Sequence, residues 1–148
     1  MMDLILWRHA DAEDGIPDEA RKLTAKGEKQ ARRVAKWLTE RVPEDTLVLV
    51  SPARRAQQTA KAFSKDFKTC AEAGTGTVPA ALLKAAGWPD RGGTVIVVGH
   101  QPVVGQTVAL LLTGEADDWG FRKGAVWWLS SRGRGEAAVK AVVSPDLL

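Results

Sequence analysis

The sequence predicts an α/β fold in three layers, with helices on both faces of a mostly parallel central sheet. Short apolar runs that suit buried strands alternate with amphipathic segments that suit helices over most of the chain. Two further apolar runs near the C-terminus are separated by a short glycine-rich stretch, which predicts an antiparallel hairpin. The length of 148 residues fits a single domain over residues 1–148.

The first half of the chain supplies two strands and two helices. Residues 4–7 form an apolar run that predicts a buried strand, and the acidic residues 11–21, with Gly15 and Pro17, predict a loop. A helix is expected from Thr24 as its N-cap, because apolar residues recur at helical spacing: Ala31, Val34, Ala35 and Leu38. Residues 47–50 predict a second strand, after which Ser51 and Pro52 are expected to cap and begin a helix.

The second half completes a sheet of five or six strands. Residues 69–71 predict a short strand, residues 80–86 a short helix, and residues 94–98 a buried strand. Pro102 is expected to start a helix that stops at Gly114. The closing hairpin pairs residues 125–130 with 137–143 through a turn at 132–135.

Polar residues follow three of these strands: Arg8-His9, the segment from Ser51 to Arg55, and Gly99-His100. Parallel strands end at the same edge of a sheet, where ligands of open α/β sheets bind. The chain has two histidines, and both fall there. Either histidine alone is compatible with a structural role, but the three ends together favour a catalytic site.

These residue types suit phosphoryl transfer. A neutral imidazole is a competent nucleophile toward phosphorus, and arginine binds phosphate oxygens bidentately while staying charged. A second, protonated histidine adds a further donor. Arg54 is expected to face solvent, because adjacent helical residues point about 100° apart.

Four segments carry a resemblance to a known family. Residues 6–10 (LWRHA) resemble the RHG signature of the histidine phosphatase superfamily, whose fold is phosphoglycerate mutase-like. Residues 51–60 (SPARRAQQTA) resemble its SPxxRAxQTA segment, and residues 98–102 (VGHQP) its second-histidine segment. Residues 21–27 (RKLTAKG) are similar to the RPLTxxG stretch of the small SixA-type phosphohistidine phosphatases.

The resemblance implies roles for six residues. His9 would be the phosphorylated nucleophile. The others would bind phosphate or orient those that do: Arg8, Arg55, His100 and Arg21 as phosphate contacts, and Asp18 as the partner of Arg21.

Two departures from the family pattern bear on substrate. Ala10 replaces the glycine of the wider family, as in the SixA-like branch, and Lys22 replaces a proline. The larger enzymes supply a catalytic carboxylate between the second and third segments, where residues 70–99 offer only Glu72 and Asp90. Without that acid, a P–N bond is a better match than a P–O bond, because a phosphohistidine ring protonates near neutrality. The short, uncapped chain would admit a phosphohistidine presented by another protein.

Three other functions remain open. A small-molecule phosphomonoesterase would use the same residues with Asp18 or Asp11 as acid. A non-catalytic phosphate-binding module would not need the nucleophile. An anionic-polymer binder would depend strongly on salt.

Composition and charge bear on whether the protein binds nucleic acid, spans a membrane or is secreted. The net charge of +3 favours anionic ligands, but no basic stripe with interleaved aromatics predicts nucleic-acid binding. No apolar run is long enough to span a membrane and no signal peptide is present, so we expect a cytoplasmic protein. The single cysteine, Cys70, predicts a buried free thiol. We expect a monomer that needs no metal and no cofactor.

Overall fold

The structure, a computed structural model, describes residues 1–133 and 135–148. In these residues six strands and four helices follow one another, with 3-10 turns at Asp18–Ala20, Ala71–Ala73 and Pro145–Leu147. In chain order they are β1 (Met2–Arg8), α1 (Ala25–Thr39), β2 (Leu47–Val50), α2 (Arg54–Phe63), β3 (Lys68–Thr69), α3 (Pro79–Ala86), β4 (Gly93–Gly99), α4 (Val103–Thr113), β5 (Val126–Ser131) and β6 (Ala137–Val143).

The strands form one mixed sheet in the order β3-β2-β4-β1-β5-β6. The first four strands in this order run parallel, whereas β5 runs antiparallel to β1 and β6 antiparallel to β5. Arg8 pairs with Gly99, and Val50 pairs with Val98. The carboxyl ends of β1, β2 and β4 therefore lie side by side at one edge, as the sequence predicted.

Helices cover both faces of this sheet. On one face, α1 and α2 pack on Ile5 and Trp7 of β1. On the other, α3 and α4 pack on Leu4 and Leu6 of the same strand. All four of these β1 side chains are fully buried, which is why the strand is a continuous apolar run. The three-layer α/β architecture is confirmed.

The start of α1 agrees with its prediction, but the start of α2 does not. Thr24 caps α1, and its Oγ1 accepts a hydrogen bond from the Gly27 amide at 2.9 Å. The sequence placed the start of the next helix at Ser51-Pro52, and this is wrong: α2 begins at Arg54 after Ala53. Ser51 Oγ accepts from the Ala53 amide within the connecting turn and also contacts His100, so it is not a helix cap.

Smaller differences concern the later elements. The predicted strand at 69–71 is wrong in position, because pairing ends at Thr69 and residues 71–73 form a 3-10 turn. The helix expected from Pro102 begins one residue later and ends before Gly114, whose φ of 86° is left-handed. The predicted hairpin strands pair antiparallel, but residue 134 of the predicted turn lies outside the described residues. Within the described chain, no helix is long and apolar enough to cross a membrane.

Candidate active site

A cavity of about 260 Å³ opens at the edge where β1, β2 and β4 end. It contains five of the six side chains singled out in the sequence, and the sixth, Asp18, contacts two of those five. Of the residues that line it within the described chain, none is a carboxylic acid. The lining residues are Arg8, His9, Ala12, Arg21, Arg55, Thr75, His100, Gln101 and Lys123.

His9 directly follows β1 and is 7% exposed. Its Nδ1 lies 2.7 Å from the carbonyl oxygen of Ala10. A carbonyl can only accept a hydrogen bond, so Nδ1 carries the proton and Nε2 retains the lone pair. Burial, with smaller contributions from the nearby His100, Arg55 and Arg8, lowers the pKa of His9 to about 3, although the hydrogen bond to Ala10 acts in the opposite direction. Near pH 7 the ring is therefore neutral, with Nε2 available as a nucleophile.

His100 follows the neighbouring strand β4, and its ring centroid lies 5.1 Å from that of His9. Its Nε2 is 2.7 Å from Ser51 Oγ. Ser51 Oγ accepts from the Ala53 amide and can donate its own proton to Nε2, and in that arrangement His100 carries its proton on Nδ1. Burial, followed by Arg55, lowers the pKa of His100 to about 4. This differs from the protonated ring expected from sequence: burial makes the ring neutral, and it donates through Nδ1 instead.

Arg55, which is buried, and Arg8, which is half-buried, supply positive charge to the cavity. Arg55 is 3% exposed, and its Nη1 and Nη2 donate to the Asp18 backbone carbonyl at 2.8 Å and to Asp18 Oδ2 at 3.0 Å. Arg8 Nη1 donates to the Phe121 carbonyl, and burial lowers the pKa of the Arg8 guanidinium. Arg54, next to Arg55, is exposed, as predicted.

Three buried donor atoms around the cavity have no hydrogen-bond partner within the described residues: Arg8 Nε, Arg55 Nε and His100 Nδ1. Leaving a buried donor unsatisfied costs about 1–3 kcal/mol, and more for charged groups. All three atoms belong to side chains that line one cavity, so unsatisfied hydrogen-bonding capacity is concentrated beside two arginines, an arrangement that suits an anion.

Asp18 bridges two arginines. Besides Arg55, it accepts a hydrogen bond from Arg21 Nε at 3.0 Å through Oδ1. The hydrogen bond from Arg55 is the main reason that the pKa of Asp18 is lowered, so the carboxylate is ionised. The sequence placed Asp18 beside Arg21 but did not predict its contact with Arg55, which is 37 residues distant in the chain.

Thr59, which the sequence did not single out, joins two parts of the site. Its Oγ1 accepts from the Ala10 amide at 3.1 Å and donates to the Arg55 carbonyl at 2.7 Å. Two signals were available: Thr59 is a fixed residue of the SPxxRAxQTA segment, and it stands four residues after Arg55, on the same face of α2. Thr59 thus fixes the segment after His9 relative to Arg55.

Two other residue classes lie apart from this chemistry. The free thiol of Cys70 is half-buried, not buried as the sequence predicted; it does not line the cavity, and burial raises its pKa. Within the described residues, no group of three or more histidine, cysteine or acidic side chains could hold a metal ion.

The comparisons with known proteins agree with this geometry. The family model of the histidine phosphatase superfamily (branch 1) matches residues 4–74. Phosphohistidine phosphatase SixA of Escherichia coli strain K12 is 33% identical over 128 residues, which cover 77% of this chain and 76% of that protein.

Solved structures extend the similarity to nearly the whole chain. The protein histidine phosphatase SixA complexed with tungstate superposes with a TM-score of 0.81 at 27% identity, covering 99% of each chain. The putative phosphohistidine phosphatase SixA of Nakamurella multipartitia gives a TM-score of 0.82 at 28% identity, covering 97% of this chain and 96% of that one.

Proposed function

The chain belongs to the histidine phosphatase superfamily (branch 1), and from this premise we propose that it is a phosphohistidine phosphatase. Residues 1–148 would act as one catalytic domain that removes phosphoryl groups from phosphohistidine on a partner protein. The reaction would pass through a covalent phosphoryl group on His9. The name of the Escherichia coli relative supports this substrate class.

The observation that carries the proposal is the composition of the cavity wall. Three buried donors without partners, on Arg8, Arg55 and His100, suit the oxygens of a phosphoryl group. The neutral ring of His9 supplies the nucleophile beside them. No carboxylic acid lines the cavity within the described chain, so no such side chain is placed to protonate an alkoxide leaving group.

In the first step, His9 Nε2 forms a bond to phosphorus while the P–N bond of the substrate breaks. The substrate's own ring, protonated on its other nitrogen, leaves as neutral imidazole and needs no proton from the protein. The ring of His9 becomes cationic as it gains the phosphoryl group. The Ala10 carbonyl, 2.7 Å from Nδ1, stabilises that cation by accepting its hydrogen bond.

In the second step, water attacks phosphorus and the bond to Nε2 breaks. Both protons of the water leave with the phosphate, and His9 returns to its neutral form with the proton still on Nδ1. Arg8, Arg55 and Arg21 neutralise the phosphoryl oxygens in both steps. The chain's own cations therefore fill the role that a metal plays in other phosphatases, and we expect turnover to survive chelation.

The alternative, a phosphomonoesterase with Asp18 or Asp11 as acid, is less well supported. Asp18 is held ionised by Arg55 and Arg21. Asp11 accepts from Lys123 at 2.9 Å and from Thr24 at 2.8 Å, and these hydrogen bonds also lower its pKa. Neither carboxylate holds a proton near pH 7. A non-catalytic module would not require the lone pair on His9 Nε2.

The deciding experiment compares leaving groups in the presence of chelator. Free phosphohistidine and p-nitrophenyl phosphate should be hydrolysed, whereas glycerol phosphate should be slower by about 10²–10⁴-fold, the usual contribution of a general acid. Asp18→Asn should raise KM through Arg55 and Arg21 and leave this ratio unchanged. Efficient hydrolysis of glycerol phosphate that is lost selectively in Asp18→Asn would establish the phosphomonoesterase instead.

A further inference from the structure

A second, larger cleft of about 450 Å³ lies beside the active-site cavity. We call it the basic cleft, because five cations and one carboxylate line it: Lys26, Lys29, Arg33, Arg122, Lys123 and Asp146. Lys123 lines both the basic cleft and the active-site cavity, so the two are adjacent. The formal net charge of the cleft is +4, whereas the whole chain carries +3.

The folded chain uses only part of this charge: of the five cations, Lys123 alone forms an ion pair within the described residues, with Asp11 at 2.9 Å. Lys26, Lys29, Arg33 and Arg122 are exposed, and none forms an ion pair within the described residues. The three on α1 lie at i, i+3 and i+7, so they repel one another along one face of the helix. Lys26 also stands in the first turn of α1, where the helix dipole disfavours positive charge. An external anionic surface would remove both penalties.

The size of the active-site cavity limits what it can recognise. About 260 Å³ holds a phosphoryl group and an imidazole ring, and its wall is mostly polar. Any further discrimination among phosphohistidine proteins must come from contacts outside it. The basic cleft adjoins the cavity at Lys123 and is the charged surface that a docked protein would meet.

Other anionic ligands fit the basic cleft less well. A tight site for a small anion needs buried polar side chains, whereas the cations of the cleft are exposed. A nucleic-acid groove usually offers aromatic side chains for stacking, and no aromatic residue lines this cleft within the described chain. Exposed cations on a broad surface act mainly by steering an oppositely charged protein.

We propose that the basic cleft docks an acidic surface of the partner protein, next to the phosphohistidine that enters the cavity. This inference rests on the proposed function and adds the chemistry by which the partner is recognised. Docking of this kind raises kcat/KM for an acidic substrate, leaves kcat largely unchanged, and weakens as ionic strength rises.

The test uses three probes: free phosphohistidine and two synthetic peptides phosphorylated on a single histidine flanked by either glutamates or glutamines. At low salt, the wild type should process the glutamate peptide with a kcat/KM about tenfold or more above the glutamine peptide, and added salt should reduce the ratio. Lys29→Glu/Arg33→Glu should abolish this preference and leave turnover of free phosphohistidine unchanged.

The matched control is Lys61→Glu/Lys65→Glu, which makes the same change in net charge at exposed positions outside both cavities. It should keep the preference. An equal loss in both double variants, or no preference in the wild type, would overturn the proposal. So would inhibition by a DNA duplex stronger than by the unphosphorylated glutamate peptide, since that result favours nucleic acid.

Two further measurements cover the cases in which the double variant does not fold or free phosphohistidine is not hydrolysed. If Lys29→Glu/Arg33→Glu does not fold, Lys29→Gln/Arg33→Gln should show the same loss of preference. If free phosphohistidine is not hydrolysed at all, the proposed function fails. The cleft is then judged by fluorescence anisotropy of the labelled, unphosphorylated glutamate peptide. Binding that is lost in Lys29→Gln/Arg33→Gln and kept in Lys61→Glu/Lys65→Glu supports docking, and equal binding by both variants overturns it.

Discussion

The ends of β1 and β4 look alike but hold their histidines differently. Both strands are buried, they pair in parallel, and each delivers one histidine to the same cavity. Both rings have lowered pKa values, about 3 for His9 and about 4 for His100. They differ in which ring nitrogen contacts another protein group and in what that group is. His9 Nδ1 contacts a backbone carbonyl, and His100 Nε2 contacts the Ser51 hydroxyl.

This difference separates the two roles. A backbone carbonyl only accepts, so His9 always retains its lone pair on Nε2. A serine hydroxyl can donate to His100 Nε2, which places the proton on Nδ1, a buried atom without a partner in the described chain. We therefore propose that His9 acts as the nucleophile and His100 as a hydrogen-bond donor.

The largest expected effect comes from removing each ring in turn. His9→Ala should reduce kcat for phosphohistidine by at least about 10⁴-fold, because no other group replaces the nucleophile. His100→Ala should reduce kcat by about 10²–10³-fold, the usual cost of losing one donor to the transition state. Circular dichroism of both variants checks that they are folded. Equal losses in the two variants, or a larger loss in His100→Ala, would contradict the assignment of roles.

The second-largest expected effect is on kcat/KM and comes from removing the Ser51 hydroxyl that contacts His100. Ser51→Ala removes the hydroxyl that favours the Nδ1–H form of the ring, so kcat/KM should fall by about tenfold, the range of one hydrogen bond. The matched control is Ser131→Ala, since Ser131 is also buried and accepts the Met2 amide at 2.8 Å. Its thermal stability should fall but its kcat/KM should not. A Ser51→Ala enzyme with unchanged kcat/KM would show that this contact does not orient His100.

The sequence predicted the strands and helices that bury apolar residues, together with the shared edge where β1, β2 and β4 end. It misplaced the start of α2, because Ser51 and Pro52 carry the local pattern of a cap while Ser51 also contacts His100, 49 residues away. It placed β3 at residues 69–71 and so included only one of the two residues of this exposed strand, which has no apolar pattern. Contacts between distant segments, such as Asp18 with Arg55, leave no local signal.

The smallest expected effect is that of the two buried histidines on the free energy of unfolding as the pH changes. In the unfolded chain both histidines protonate near pH 6.5, whereas in the folded chain they stay neutral down to about 3 and 4. Between pH 5 and 6.5 the unfolded state therefore binds more protons, and the free energy of unfolding should rise with pH by about 1–2 kcal/mol for each histidine. Urea unfolding at pH 5.0 and 7.0 measures this rise. In His9→Ala the increase in the free energy of unfolding between pH 5.0 and 7.0 should be about half that of the wild type. An increase as large as that of the wild type would contradict a neutral, buried His9 ring.

The central claim is that Nε2 of His9 carries the phosphoryl group. Rapid acid-free quenching during turnover, followed by peptide mapping and ³¹P NMR of the trapped protein, locates the phosphorus and identifies the bonded nitrogen. The expected result is one acid-labile, base-stable phosphate on Nε2 of His9, because Nδ1 is engaged by the Ala10 carbonyl. Phosphate on Nδ1 of His9, on His100, or on a residue other than histidine would contradict the account.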